Sequence, residues 1–177
     1  MARPPGDELD LGRAHRDFLL AQADRGGRRA ERHHRQAAVP GAVPVSFSGF
    51  VGIPYADLGR SREGADCYGL LRLIYAEDLG VTLPSFAGSY ETCAEHAEIA
   101  ALMAEAASAG PWRPVEEIAP YDALLFRVGR FDCHVAIAVD ARRMLHAHAR
   151  SRSVIVRRSD PLWRDRFTGA YRHEAML

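Results

Sequence analysis

Three residues of this 177-residue chain have the types and the setting that nucleophilic catalysis needs: Cys67, His134 and His146. Cys67 follows Asp66 at the point where the sequence predicts the first turn of a helix. Unpaired backbone N–H groups and the positive end of the helix dipole gather there, and Asp is a type that caps helix starts. These effects favour thiolate over thiol, so we expect a lowered pKa for Cys67. The competing interpretation is a small, buried packing residue.

The two histidines lie on neighbouring predicted strands. His134 opens the alternating apolar run 134–139, and His146 lies in the next such run. A short turn between antiparallel strands would bring the rings side by side, so His134 can take the thiol proton while His146 orients its ring. His148 lies on the same strand face and competes for the orienting role. Taken alone, either histidine is more simply a surface or core residue.

The coarse pattern is a helical half followed by a strand-rich half. Apolar residues at helical spacing predict one helix over 66–79, ended by Gly80, and a second over 92–107. A helical half followed by an antiparallel meander predicts an α+β fold. The predicted strands cover 123–128, 134–139, 143–147 and 154–157, with Tyr171 in a last strand.

Composition argues against several functional classes. The 23 basic residues, all of them Arg, balance 23 acidic ones, so the net charge does not indicate nucleic-acid binding. Three widely spaced cysteines without a C-x-x-C pair argue against a zinc framework and a disulfide scaffold. We expect no metal, no cofactor and no nucleic-acid partner; Cys133 and His134 would point to opposite faces of a strand and cannot share an ion. Cys93 and Cys133 are interpreted as inert, and His96 and His173 as surface residues.

The chain is predicted to divide after residue 44. Residues 1–44 are rich in Arg and end in a Pro-rich link, so they are interpreted as a basic arm. This arm is either a solvated tail or a segment that orders on a partner protein. Residues 45–177 carry the globular pattern. The sequence predicts neither a signal peptide nor a membrane-spanning segment, so we expect synthesis in a bacterial cytoplasm without a leader.

The first globular segment resembles the active-site block of the NlpC family, compact papain-like peptidases that cleave peptide stems of peptidoglycan. The matching residues are Gly52-Ile53-Pro54-Tyr55, Gly59, Gly64-Ala65-Asp66-Cys67 and Gly69, and His134-Val135-Ala136-Ile137 resembles the family's HVGI strand. The resemblance covers residues 46–173 and implies a papain-like fold with N-terminal helices packed on a central antiparallel sheet. It implies Cys67 as nucleophile, His134 as base and His146 as third residue. The implied lining residues of the cleft are Tyr55, Asp66 and Tyr68.

A narrower likeness concerns the insertion over 84–120 and the ending over 154–172, which resemble tail-associated members from phages and gene-transfer agents. That likeness implies a virion tail-tip component that acts on peptidoglycan and binds other tail or baseplate proteins through residues 1–44. Tyr68, just after the nucleophile, departs from the family pattern and could narrow the cleft. The other departures are Leu58, Tyr121 and Ala136. Two alternatives stay open: a structural tail protein with an occluded cleft, and an amidase or acyltransferase that uses the same Cys–His pair.

Overall fold

The computed structural model describes residues 46–86, 88–149 and 151–177. The described helices are α1 (Cys67–Leu79) and α2 (His96–Ala109), with short 3-10 turns at Ser48–Phe50, Arg164–Arg166 and Glu174–Met176. The described strands are β1 (Arg60–Ser61), β2 (Gly64–Ala65), β3 (Trp112–Pro114), β4 (Ala123–Val128), β5 (Phe131–Ala138), β6 (Arg143–His146), β7 (Val154–Arg157) and β8 (Phe167–His173). The predicted arm, residues 1–44, lies outside the described residues, so the arm stays a prediction.

Helix α1 begins and ends where the sequence predicts. The Asp66 side chain accepts the backbone N–H of Gly69 at 2.6 Å, which satisfies one of the unpaired donors of the first turn. Gly80 follows the last turn with a φ of 66°, a left-handed conformation that glycine adopts without steric cost. The buried side chains of the helix share one core with β5 and β6: Leu70, Leu71, Ile74 and Tyr75.

The main sheet has six strands in the order β3-β8-β4-β5-β6-β7 and is antiparallel throughout. Strands β1 and β2 form a separate small hairpin just before α1. The strands predicted over 123–128 and 154–157 have those bounds, whereas the strand predicted from residue 134 begins earlier, at Phe131. The predicted α+β class, with helices on an antiparallel sheet, is confirmed.

Helix α2 begins later than predicted, at His96 rather than at residue 92. Glu95 causes this difference, because its Oε1 atom accepts the backbone N–H groups of Glu91 and Thr92 and holds them in a turn. Within α2, only Ile99 is buried. The other apolar contacts of α2 come from partly buried residues, which are Ala100, Leu102 and Met103.

Two of the departures from the family pattern occupy backbone positions that favour glycine. Leu58 has a φ of 55° and Tyr121 a φ of 71°, and a side chain in this left-handed region costs roughly 1–2 kcal/mol. Tyr121 is held there by contacts: its carbonyl accepts the Tyr75 hydroxyl at 2.7 Å, and its ring packs on Phe47. The backbone conformation is therefore the one glycine favours, although the side chains differ.

His173, which the sequence placed at the surface, is buried at the end of β8. Its ring meets Trp112 edge-on at 5.0 Å, and its Nδ1 accepts the backbone N–H of Ala175 at 3.1 Å. The surface prediction is wrong because β8 pairs with the edge strand β3, a strand that the sequence did not predict.

Candidate active site

Cys67 is the first residue of α1 and lies against the middle of β5. The backbone N–H groups of Val135 and Tyr68 donate hydrogen bonds to its sulfur, so the thiol is fixed beside the strand that carries His134. Glycine allows the loop before α1 to pack on the first helical turn, because a Cβ atom on Gly69 would collide with the carbonyl oxygen of Gly59.

The prediction of a lowered pKa for Cys67 is wrong for this structure. Burial, and after it the neighbouring Asp66 carboxylate, raise the pKa of the Cys67 thiol to about 12. The two backbone hydrogen bonds act in the opposite direction and are outweighed. The sequence argument considered the helix N-terminus alone, and the residues that cover the thiol come from distant parts of the chain. Cys67 is only partly buried by accessible surface, and desolvation opposes the ionisation of its thiol in this structure.

His134 and His146 contact each other inside the protein. Nε2 of His134 lies 3.2 Å from Nδ1 of His146, and the two rings meet nearly at right angles, at 87°. Only 4% of His134 and 1% of His146 is exposed. The ring of His148 meets the ring of His134 with 5.7 Å between centroids, and His148 lines the cavity that His134 faces. His134 and His146 therefore lie side by side on adjacent strands, as the sequence predicts.

Cys67 and His134 line one small cavity of about 90 Å³. Residues 88–110, which we call the cover segment, lie over this cavity between α1 and β3. The cover segment contributes Tyr90, Cys93, His96, Ile99 and Met103 to the lining. A cavity of this volume holds a few water molecules and no peptide. The cavity is partly open to solvent and is narrowed by the cover segment, and the half-buried His96 lines it.

Arg60 ties the start of α1 to the cover segment. Its Nη1 donates to the Asp66 carboxylate at 2.6 Å, and its Nη2 donates to the Tyr90 hydroxyl at 2.8 Å. The guanidinium also lies 5.5 Å from the centroid of the Tyr68 ring. Asp66 is 1% exposed, so Arg60 supplies the charge partner that a buried carboxylate requires. Arg60 lies in a turn-rich segment without periodicity, so no sequence pattern points to this role.

Cys93 takes part in the site, although the sequence indicated an inert residue. Its thiol donates to the Asp66 carboxylate at 3.4 Å, and its backbone N–H donates to Asp57 at 3.2 Å. It also shares a hydrogen bond with the Tyr55 hydroxyl. Burial, followed by a hydrogen bond between the Cys93 side chain and Asp57, raises the pKa of the Cys93 thiol well above its ordinary value. A neutral Cys93 thus joins the cover segment to Tyr55 and Asp66.

Cys133 and His134 both line the cavity, although their side chains pack against different neighbours. Cys133 packs in an apolar cluster with Tyr90 and Ile99, whereas the His134 ring lies on Trp163. Among the described residues, no group of three or more His, Cys, Asp or Glu is arranged to hold a metal ion. In the same ranges, no helix is both long enough and apolar enough to cross a bilayer.

Residues 52–172 match the model of the NlpC/P60 family. The chain belongs to the NlpC/P60 family. Over 138 residues it is 25% identical to the murein DD-endopeptidase MepS/murein LD-carboxypeptidase of Escherichia coli strain K12, and equally similar to that protein in Escherichia coli O157:H7. The alignment covers 78% of this chain and 65% of the relative. This NlpC/P60 chain therefore matches somewhat less than two thirds of the length of the curated relatives.

Two solved structures show the same fold as this NlpC/P60 domain. A protein similar to lipoprotein, of the NLP/P60 family, from Staphylococcus aureus Mu50 is 24% identical with a TM-score of 0.50, over 71% of this chain and 38% of that chain. An NlpC/P60 family protein from Bacillus cereus ATCC 10987 is 24% identical with a TM-score of 0.51, over 70% of this chain and 36% of that chain. The prediction of a papain-like fold is confirmed. The residues that match the family model, 52–172, lie within the range 46–173 over which the sequence resembles the family.

Proposed function

We propose that this protein is a cysteine peptidase that hydrolyses peptide-stem bonds of bacterial peptidoglycan. One observation carries the proposal: a cysteine at a helix start lines the same cavity as a histidine that contacts a second, buried histidine. A nucleophile, a base and a residue that orients the base are the parts that acyl transfer requires. Family membership and the similarity to a murein endopeptidase support peptidoglycan as the substrate.

In the proposed reaction, His134 removes the thiol proton while the Cys67 sulfur attacks the carbonyl carbon of the scissile bond. Because Nε2 of His134 faces His146, we assign the proton to Nδ1. The C–N bond then breaks, and the imidazolium gives this proton to the leaving amine. Water attacks the thioester while His134 takes a proton from it, which releases the carboxylic acid and restores the thiol.

Negative charge that develops on the carbonyl oxygen needs hydrogen-bond donors. We assign this role to the backbone N–H of Cys67 and to the Tyr55 hydroxyl. In the resting structure, Tyr55 donates to Asp57 at 3.1 Å, and burial raises the Tyr55 pKa far above its ordinary value. The hydroxyl therefore stays protonated, and substrate binding exchanges Asp57 for the carbonyl oxygen. Asp66 and Tyr68 line the same cavity and are assigned to its wall.

The Cys67→Ala variant tests the nucleophile, with Cys133→Ala as the matched control from the same cavity. Both variants and the wild type are incubated with purified peptidoglycan, and the soluble fragments are identified by mass spectrometry. We expect Cys67→Ala to release no fragments and Cys133→Ala to release those of the wild type. Cleavage by Cys67→Ala at the wild-type rate would contradict the assignment.

The small volume of the cavity favours a second candidate function, a structural tail protein whose peptidase cleft is occluded. The observations behind it are the cover segment over Cys67 and the raised pKa of the thiol. An occluded protein releases no fragments, and its Cys67 stays unmodified by iodoacetamide even when peptidoglycan is present. A peptidase releases fragments cut between two residues of the peptide stem. An amidase that uses the same Cys–His pair cuts a different amide bond, and an acyltransferase passes the acyl group to an acceptor other than water.

We further propose that a phage or phage-like tail carries this chain to the cell wall, with residues 1–44 bound to other tail or baseplate proteins. The support is the likeness of residues 84–120 and 154–172 to tail-associated members of the family. The test is mass spectrometry of purified particles from the producing strain. The chain should be found in the particles, and its recovery from the cell envelope alone would contradict the proposal.

A further inference from the structure

Trp163 forms a wall against which the His134 ring lies. The two rings are stacked, with 4.8 Å between centroids and 21° between planes. The same indole meets His146 nearly at right angles, also with 4.8 Å between centroids. Trp163 is 4% exposed and lies between Asp160 and β8, far along the chain from both histidines. A single buried indole therefore contacts both members of the histidine pair.

We infer that Trp163 is a positioning residue that fixes the plane of the His134 ring and favours its protonated form. The inference rests on the proposed role of His134 as base. Stacking on Trp163 restricts tilting and sliding of the His134 imidazole. The contact between Nε2 of His134 and His146 fixes how the imidazole is rotated within its own plane. Nδ1 is then directed to one place, which is what proton transfer from a thiol requires.

The charge preference follows from the electronic structure of indole. Its ring face carries negative electrostatic potential, and a cation above that face is attracted, more strongly where water is excluded. Protonated His134 would be such a cation, while neutral His134 gains only packing. Because both rings are buried, the interaction is little screened by solvent or salt. Trp163 thereby opposes the desolvation that burial imposes on an imidazolium.

Other groups around the His134 ring also affect its protonation. From α1 these are Cys67 and the Asp66 carboxylate, which is paired with Arg60. From β6 and the residues after it they are His146 and His148, and from the cover segment His96. Because Trp163 also packs on His146 and His148, the comparison of an aromatic with an aliphatic replacement separates the effect of the ring face from a change in packing.

The test compares Trp163→Phe with Trp163→Leu. Phenylalanine keeps an aromatic face and leucine removes it. The His134 ring is followed by NMR over a pH series, its signal assigned by its loss in His134→Ala. We expect the titration midpoint of His134 to fall by about 0.5 pH units or more in Trp163→Leu, and by less in Trp163→Phe. On peptidoglycan, Trp163→Leu should lower kcat by about tenfold or more with little change in KM, and Trp163→Phe should recover most of it.

Trp112→Leu is the matched control, because Trp112 also packs against a histidine, His173, away from the cavity. It should reduce stability without moving the His134 midpoint. Circular dichroism checks that Trp163→Leu is folded. An unchanged titration midpoint of His134 in this folded variant would overturn the inference. The inference would also be overturned if the Phe and Leu variants lowered the midpoint equally. If Trp163→Leu does not fold, the titration midpoint of His134 is compared between Trp163→Phe and the wild type, and this comparison decides. The NMR result needs no turnover, so it separates failure of this inference from failure of the proposed peptidase activity.

Discussion

Nε2 of His134 lies 3.2 Å from Nδ1 of His146, in a place where less than 5% of either residue is exposed. Two imidazole nitrogens at this distance must share one proton between them, since two facing N–H groups would repel and two bare lone pairs would gain nothing. When His134 is protonated, its Nε2–H donates and Nδ1 of His146 accepts, so His146 carries its proton on Nε2. The contact therefore couples the tautomer of His146 to the charge on His134.

Substitutions of His146 and His148 should separate the roles of these two residues. His146→Ala removes the acceptor that orients His134, and we expect kcat on peptidoglycan to fall by about 100-fold. His148→Ala should stay within about threefold of wild type, because its ring meets His134 at 5.7 Å without taking the Nε2 position that His146 occupies. The measurement is the rate of fragment release under saturating substrate. Equal losses in the two variants would show that the histidine contact does not orient the base.

The raised pKa of Cys67 predicts how stability depends on pH. A thiol whose pKa is higher in the folded than in the unfolded protein stabilises the fold while it is neutral in both states. That contribution is present below the ordinary thiol pKa of about 8.5 and is lost as pH rises towards about 12. Cys67→Ser does not titrate in this range. The free energy of unfolding of wild type, relative to Cys67→Ser, should therefore fall between about pH 8.5 and pH 10 in urea titrations.

If the free energy of unfolding of wild type, relative to Cys67→Ser, instead rises with pH over this range, the folded protein favours the Cys67 thiolate. The helix N-terminus would then outweigh burial, as the sequence alone suggested. Cys133→Ser serves as the comparison, since burial raises the pKa of Cys133 to about 11, with a smaller contribution from Asp132.

The sequence was sufficient for the parts of the site that depend on local structure. Asp66 before Cys67 predicts a capped helix start, and the alternating run after His134 predicts a strand; both are present. The pairing of Ile137 with Leu145 puts His134 and His146 on the same face of the sheet as diagonal neighbours, which allows their rings to meet. The family resemblance added which residue is the nucleophile, which is the base and which is the third residue. Spacing alone does not provide these assignments.

The remaining features depend on contacts between distant segments, which periodicity does not record. Arg60 reaches Tyr90, Cys93 reaches Asp57, and Trp163 reaches His134, in each case across separate elements. Arg60 lies in a two-residue strand, and Cys93 and Trp163 lie in turns, so none of them belongs to a repeating pattern. The pKa of Cys67 was mispredicted for the same reason, because burial by the cover segment is a property of the assembled fold.

Cys93 offers a way to loosen the cover segment. Cys93→Ala removes the thiol that donates to Asp66 and contacts Tyr55, whereas Cys93→Ser keeps a donor and acceptor of similar size. We expect Cys93→Ala to lose about 1 kcal/mol of stability. Because α2 buries only Ile99, weaker tethering should open the cavity and speed alkylation of Cys67 by iodoacetamide severalfold.

The alkylation is read by mass spectrometry on the peptide that contains Cys67, so reaction of other thiols does not enter the result. Cys93→Ser should alkylate at close to the wild-type rate. If Cys93→Ala and wild type alkylate equally fast, the cover segment is held by Arg60 and Tyr90 or by packing, and Cys93 is not its tether.

Leu58 provides a test of backbone strain close to the site. Its φ of 55° lies in the region that glycine adopts freely, so Leu58→Gly should raise stability by about 1 kcal/mol, because it relieves this strain. Val51 is the control: it is similarly exposed, 45% against 37%, but its φ is −82°. There the added freedom of glycine in the unfolded chain dominates, so Val51→Gly should lower stability by about 0.5–1 kcal/mol. Thermal unfolding of the two variants, measured side by side, should move in opposite directions. A loss of stability in both would mean that apolar contacts of Leu58 outweigh its backbone strain.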